Sequence, residues 1–150
     1  DLHGVSVGGP GSKSVYISNR TGVWKSTDRA QNWQDLNFEK FSDIRYSRGV
    51  ETSPNDPNTF YACVGLNFGS EQGGVMRTTD GGDSWTRFDQ GVNALSTTFG
   101  VAINEHSPDQ VYFCTRKGQV FGTLDGGNSW KEHVLPEIAA NVKAIACTSR

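Results

Sequence analysis

The chain has 150 residues, 18 of them glycine, with 11% aromatics, 20% charged residues and a formal net charge of −2. That balance offers no electrostatic case for nucleic acid or an anionic membrane surface as partner. No apolar run reaches the length of a membrane-crossing helix or a signal-peptide core, so no targeting segment is read here and no compartment is assigned.

The predicted elements come in sets. From the N terminus, "HGVSV", "SVYIS" and "GVWKS" are short β-branched or aromatic runs, followed by the loop "STDRAQNW" and a fourth run, "WQDLNF". This set, about residues 2–40, reads as four strands, A to D, joined by polar turns. A second set over about 46–92 holds "RGVET", "TFYAC", "GVMRT", the loop "TTDGGDSW" and "WTRF". A third over about 97–136 holds "FGVAI", "QVYFC", "QVFGT", the loop "TLDGGNSW" and "WKEHV". A last run, "NVKAIACTSR", repeats the strand A pattern over about 141–148.

The sets keep register. Gly4, Gly49 and Gly100 each stand 12 residues before Tyr16, Tyr61 and Tyr112, and Asp28, Asp80 and Asp125 lie 52 and then 45 residues apart. Four strands recurring at that interval are the signature of propeller blades. The expectation is an all-β fold of three four-stranded antiparallel blades plus one extra inner strand. Propellers close with about four to eight blades, so the ring is incomplete in one chain and its edges invite pairing. Completion is expected from a second copy, giving a dimeric six-blade ring, or from the remainder of a longer propeller chain. The first residue, Asp1, and the single methionine, Met76, point to a chain processed or cut from something longer.

Within each loop the aspartate can accept hydrogen bonds from backbone N–H groups further on, glycines tolerate positive φ, and the terminal indole has to be buried. Asp28, Asp80 and Asp125 are therefore read as turn clips. Trp33, Trp85 and Trp130 are read as anchors of the C–D hairpins between neighbouring blades. The first loop has Ala30 and Asn32 where the others have glycine and serine, so its turn is expected to be looser. Cys63 and Cys114 recur at one place in successive sets, as small buried packing residues do. Neither the cysteines, Cys147 included, nor His3, His106 and His133 show ligand spacing, so no metal and no cofactor is expected.

The octets resemble the Asp-box, or bacterial neuraminidase repeat, Ser/Thr-x-Asp-x-Gly-x-Thr/Ser-Trp, which the second and third copies match fully. The resemblance implies a propeller of the sialidase-like superfamily, nearer in texture to the WD40/YVTN/BNR-like repeat proteins often labelled glycosyl hydrolase. "GQVFGTLDGGNSWKEHVLPE" followed by "VKAIAC" looks like the C-terminal end of such proteins. Xyloglucanase-type hydrolases, sortilin-like receptors and photosystem assembly factors carry similar repeats. In these families the Asp-box lies on the face opposite the ligand site.

Function is then sought on the other face, where strand A begins and the B–C loops gather. The residue before the strand A glycine, or Ala144 in the last run, changes from set to set: His3, Arg48, Phe99 and Lys143. Such variation suits either a ligand ring at a channel mouth or a solvated lining. The long B–C loop "GLNFGSEQGG" adds Phe68, and Arg20 and Arg116 belong to the same face. The leading expectation is a non-catalytic module binding a glycan or a protein there. The alternatives are part of a glycoside hydrolase, for which Asp43 and Glu51 are the candidate carboxylates, and a structural or assembly factor. A sialidase would need three converging arginines, with Arg20, Arg48 and Arg116 the candidates, but the Arg-Ile-Pro motif is absent and "DIRYSRG" does not supply it.

Overall fold

In the computed structural model the described residues are 1–8, 11–139 and 141–148. They form three separate four-stranded antiparallel sheets, each with its strands in sequence order. Blade 1 comprises β1 (Leu2–Val7), β2 (Val15–Asn19), β3 (Gly22–Ser26) and β4 (Gln34–Asp35). Blade 2 comprises β5 (Tyr46–Thr52), β6 (Phe60–Gly65), β7 (Gly73–Thr78) and β8 (Thr86–Arg87). Blade 3 comprises β9 (Thr98–Asn104), β10 (Ser107–Thr115), β11 (Val120–Thr123) and β12 (Lys131–Glu132). The sheets do not close into a ring.

Directly opposed residues on neighbouring strands share a face, and that pairing explains the core. Val50, Ala62 and Met76 are cross-strand partners in blade 2 and bury against blade 1, with Tyr16, Val23, Leu36 and Phe38 on the other side. Val101, Phe113 and Phe121 repeat the arrangement in blade 3, burying against Tyr61, Cys63, Val75 and Phe88 of blade 2. The equivalent trio in blade 1 is Val5, Ile17 and Trp24, which has no preceding blade against it; Val5 is 59% exposed.

The tryptophans follow the same rule. Trp85 is 5% exposed and meets Phe38 of blade 1 and Phe60 of its own blade edge-on, with ring centroids 4.8 and 5.0 Å apart. Trp130 meets Phe88 of blade 2 and Phe113 at 5.3 and 5.1 Å. Trp33 departs from the expectation: it is 37% exposed, because the blade it would anchor against is not in this chain.

The aspartate turns share one hydrogen-bond plan. Asp80 accepts from the Thr78 hydroxyl (2.8 Å), the Ser84 amide (2.9 Å) and the Ser84 hydroxyl, and Asp125 does the same with Thr123 and Ser129. The first turn is not looser. Asp28 accepts from the Ser26 hydroxyl, the Asn32 amide and the Asn32 side chain, so asparagine replaces serine without loss. Its backbone also keeps the left-handed conformation of the other two, with Arg29 and Ala30 at φ 62° and 67° where blades 2 and 3 have glycine pairs. The hydrogen bonds impose the turn, and the residues there bear the strain.

Cys63 and Cys114 are buried, as the packing reading expects, and burial raises both thiols, Cys114 to about 11. The segment 141–148 differs from the expected extra strand in one respect: it runs beside β9 but forms no ladder among the described residues.

Candidate functional site

The inner strands β1, β5 and β9 lie side by side because nothing holds them apart. A Cβ placed on Gly4 would lie 3.1 Å from the Gly49 Cα, and one on Gly49 would lie 3.1 Å from the Phe99 carbonyl oxygen. This close approach brings the preceding residues together. His3, Arg48, Phe99 and Lys143 all line one cavity of about 250 Å³ at the start of the inner strands.

Above this cavity two arginines from different blades converge on one ring. Arg48, on β5, and Arg116, on the β10–β11 turn, each lie 5.7 Å from the centroid of Phe68, which is itself 50% exposed. Arg48 also lies 4.8 Å over Phe99, and the Lys143 ammonium lies 5.2 Å over the same ring. Each contact is attractive through the ring's quadrupole, so the aromatics hold three like charges close together. Phe99 is buried and serves as floor; Phe68 is the exposed aromatic surface. The Nε atoms of both arginines are buried and have no hydrogen-bond partner.

The loop that carries Phe68 is clamped from below. Ser96 and Thr97, in the connection from blade 2 to blade 3, and Thr98, the first residue of β9, are fully buried. The Thr97 hydroxyl donates to the Asn67 carbonyl at 2.5 Å, the Arg116 amide donates to the Thr97 carbonyl at 2.9 Å, and the Lys117 amide donates to the Ser96 hydroxyl at 2.9 Å. One short polar segment thus fixes both B–C turns of the cluster. Sequence reasoning did not single out these three residues; an uninterrupted run of hydroxyl side chains in a connection was the available signal. Tyr46 was also missed. Its hydroxyl accepts from Arg48 at 3.5 Å, and its ring lies 5.0 Å from His3, whose Nδ1 donates to the Ser47 carbonyl at 2.7 Å.

The remaining site candidates fall elsewhere. Arg20 is exposed on the β2–β3 turn and does not line the cavity. Asp43 is exposed before β5, also outside the cavity, whereas Glu51 lines it and has its carboxyl raised by burial. Glu51 also lines a second cavity of about 590 Å³ at the far end of the inner strands, beside Glu105, His106 and Cys147. Among the described residues no group of three or more histidine, cysteine or acidic side chains is placed to hold a metal ion. None of the described helices is long and apolar enough to cross a membrane.

No family model matches the sequence, and no curated protein matches it. Solved structures do match in fold. The GH74 xyloglucanase from Xanthomonas campestris is 17% identical over 87% of this chain and 20% of its own, with a TM-score of 0.70. An ancestral GH74 enzyme is 19% identical over 87% and 18%, with a TM-score of 0.69. YCF48 from Cyanidioschyzon merolae is 17% identical over 87% and 39%, with a TM-score of 0.63, and YCF48 has also been solved bound to D1 peptide. These likenesses establish the class: the three sheets are blades of a β-propeller. The chain spans between about a fifth and two fifths of the length of these structures.

Proposed function

We propose that this chain is the ligand-binding part of a larger propeller and that it holds an anionic group of a protein or glycan on the cluster formed by Arg48, Arg116, Lys143 and Phe68. The observation that carries this reading is the convergence of two arginines from different blades on one half-exposed ring. A guanidinium stacked on an aromatic can still present N–H groups at its edge to a carboxylate or phosphate, and Arg48 gives one of its terminal nitrogens to the Tyr46 hydroxyl. The partial coverage of the matched structures and the uncovered faces of blades 1 and 3 support a longer ring, and the Asp-box resemblance of the turns supports a ligand site on the face away from them.

The test is binding of the intact chain to arrays of neutral oligosaccharides, carboxylate-bearing oligosaccharides and acidic peptides. Binding to the anionic probes is expected, lost in Arg48→Ala and in Arg116→Ala and kept in Arg20→Ala, with circular dichroism unchanged. Binding to neutral sugars that ignores both arginines would sink the proposal.

The GH74 neighbours favour a second reading, part of a glycoside hydrolase, for which Glu51 is the best-placed acid. Asp43 does not line the cavity that Glu51 lines. Turnover of a xyloglucan oligosaccharide, abolished in Glu51→Gln, is the result that would favour it.

A further inference from the structure

We infer that Arg87 and Asp89 are positioning residues: their ion pair fixes the base of the loop that presents Phe68. The inference rests on the reading of Phe68, Arg48 and Arg116 as the binding cluster. Strand D carries different charges at one matched place in the three blades. Opposite Trp24, Met76 and Phe121 stand Asp35, Arg87 and Glu132. Of these only arginine can donate hydrogen bonds to a neighbouring carbonyl. It occurs in the blade with the longest B–C loop, residues 66–72, against 20–21 in blade 1 and 116–119 in blade 3.

The base of that loop has no side chains of its own. Gly65 and Gly73 are a cross-strand pair. A Cβ on Gly65 would overlap the Thr97 side chain, and one on Gly73 would overlap the Ser96 carbonyl oxygen. The Thr97 amide donates to the Ser70 carbonyl at 3.3 Å, which ties the loop to the same segment. Successive residues of a strand point to opposite faces, so Gly74 faces the other way. There the Arg87 guanidinium covers it closely enough to exclude a Cβ. The Arg87 Nη2 donates to the Gly73 carbonyl at 2.7 Å and to Asp89 Oδ2 at 3.0 Å, while its Nε donates to Asp89 Oδ1. The hairpin base is thus gripped from both faces.

Asp89 keeps the grip in place. Its side chain is 0% exposed, whereas that of Arg87 is 39% exposed. A buried carboxylate without a partner is costly, so the fork of two parallel bonds holds the guanidinium where it is. Arg87 does not line the cavity that Arg48 and Lys143 line. Its effect on a ligand therefore passes through Phe68, which has to keep its place 5.7 Å from both arginines of the cluster. A loop flanked by glycines and held on one face only loses that place to conformational freedom, and ordering it on binding lowers affinity.

The test replaces both partners, Arg87→Met with Asp89→Asn, which leaves the net charge unchanged and no lone buried charge. Two properties of the full chain are measured: amide hydrogen exchange without ligand, and affinity for hexaglutamate. Amides of 69–73 and Thr97 are expected to exchange about tenfold faster, with β9 and β10 unaltered. The dissociation constant is expected to rise about tenfold. In a Phe68→Ala background the same pair of changes is expected to add no further loss. Unchanged exchange in the folded variant would overturn the inference. So would faster exchange spread over all of blade 2, or an equal loss of affinity without Phe68. A wild-type chain that ignores hexaglutamate tells against the binding cluster alone, and the exchange result still decides whether Arg87 and Asp89 hold the loop. If the double variant does not fold, Arg87→Lys, which keeps the charge pair but not the fork, is read by the same two measurements.

Discussion

Asp80 illustrates how much one side chain does when its surroundings are fixed. The Ser84 hydroxyl first, then the Ser84 amide and the Thr78 hydroxyl, hold its carboxyl down to about 2. Ser129 does the same for Asp125, and for Asp28 the Asn32 amide comes first, both again to about 2. A carboxyl lowered on folding stabilises above its ordinary titration range, and that stabilisation disappears as pH falls through the lowered value. Stability should therefore decline as pH falls from about 4 towards about 2. Urea midpoints across that window should fall less steeply in Asp80→Asn, and an unchanged slope would remove the carboxylate from the account. At Ala30 the prediction is a gain: Ala30→Gly relieves a positive φ and should raise stability by about 1 kcal/mol. An unchanged unfolding midpoint would show that the turn bears no strain.

At the scale of elements, the strand D hairpins matter through what they carry to the next sheet. Trp85→Ala opens a cavity between blades 1 and 2 and should cost about 3–5 kcal/mol. Trp33→Ala removes a half-covered indole with no blade behind it and should cost less than about 1 kcal/mol. Comparable losses for both in chemical unfolding would mean that Trp33 is covered in solution. The strands and turns were legible in the sequence because glycine, tyrosine, valine and the aspartate loop recur in fixed register. The exposure of Trp33 was not, since a local motif carries no information about a neighbouring blade. The site was legible in half: the position before each inner glycine brought His3, Arg48, Phe99 and Lys143 together, and the loop face supplied Phe68 and Arg116. Arg20 and Asp43 lie outside the cavity, which neighbouring sequence alone does not reveal. The supporting run Ser96–Thr98 was hidden because buried hydroxyls look in sequence like any polar linker.

For the whole molecule, the two open faces are unlike. Blade 1 turns Val5, Ile17 and Trp24 outward, whereas blade 3 offers the half-buried Tyr112 and Val120. Asymmetry of this kind suits head-to-tail addition of blades around a ring, since each face is one half of the interface found twice inside the chain. Charge is unevenly placed along the inner strands: Arg48 and Lys143 line the cavity at their start, Glu105 lines the cavity at their far end, and Glu51 lines both. For the proposed anionic ligand, raised salt should weaken the attraction to Arg48, Arg116 and Lys143.

The glycines at 4, 49 and 100 have a geometric consequence beyond close contact. Each blade is a wedge, and the number of wedges that fill a circle depends on how thin they are at the hub. Taking away a β-carbon at the hub narrows the inner end while the tryptophans and phenylalanines keep the rim broad, so each wedge subtends a wider angle and fewer of them complete the turn. Alanine at 144 takes the place of the glycine in the last run, so in a ring completed from such wedges the number of blades would depend on some of the smallest side chains in the chain.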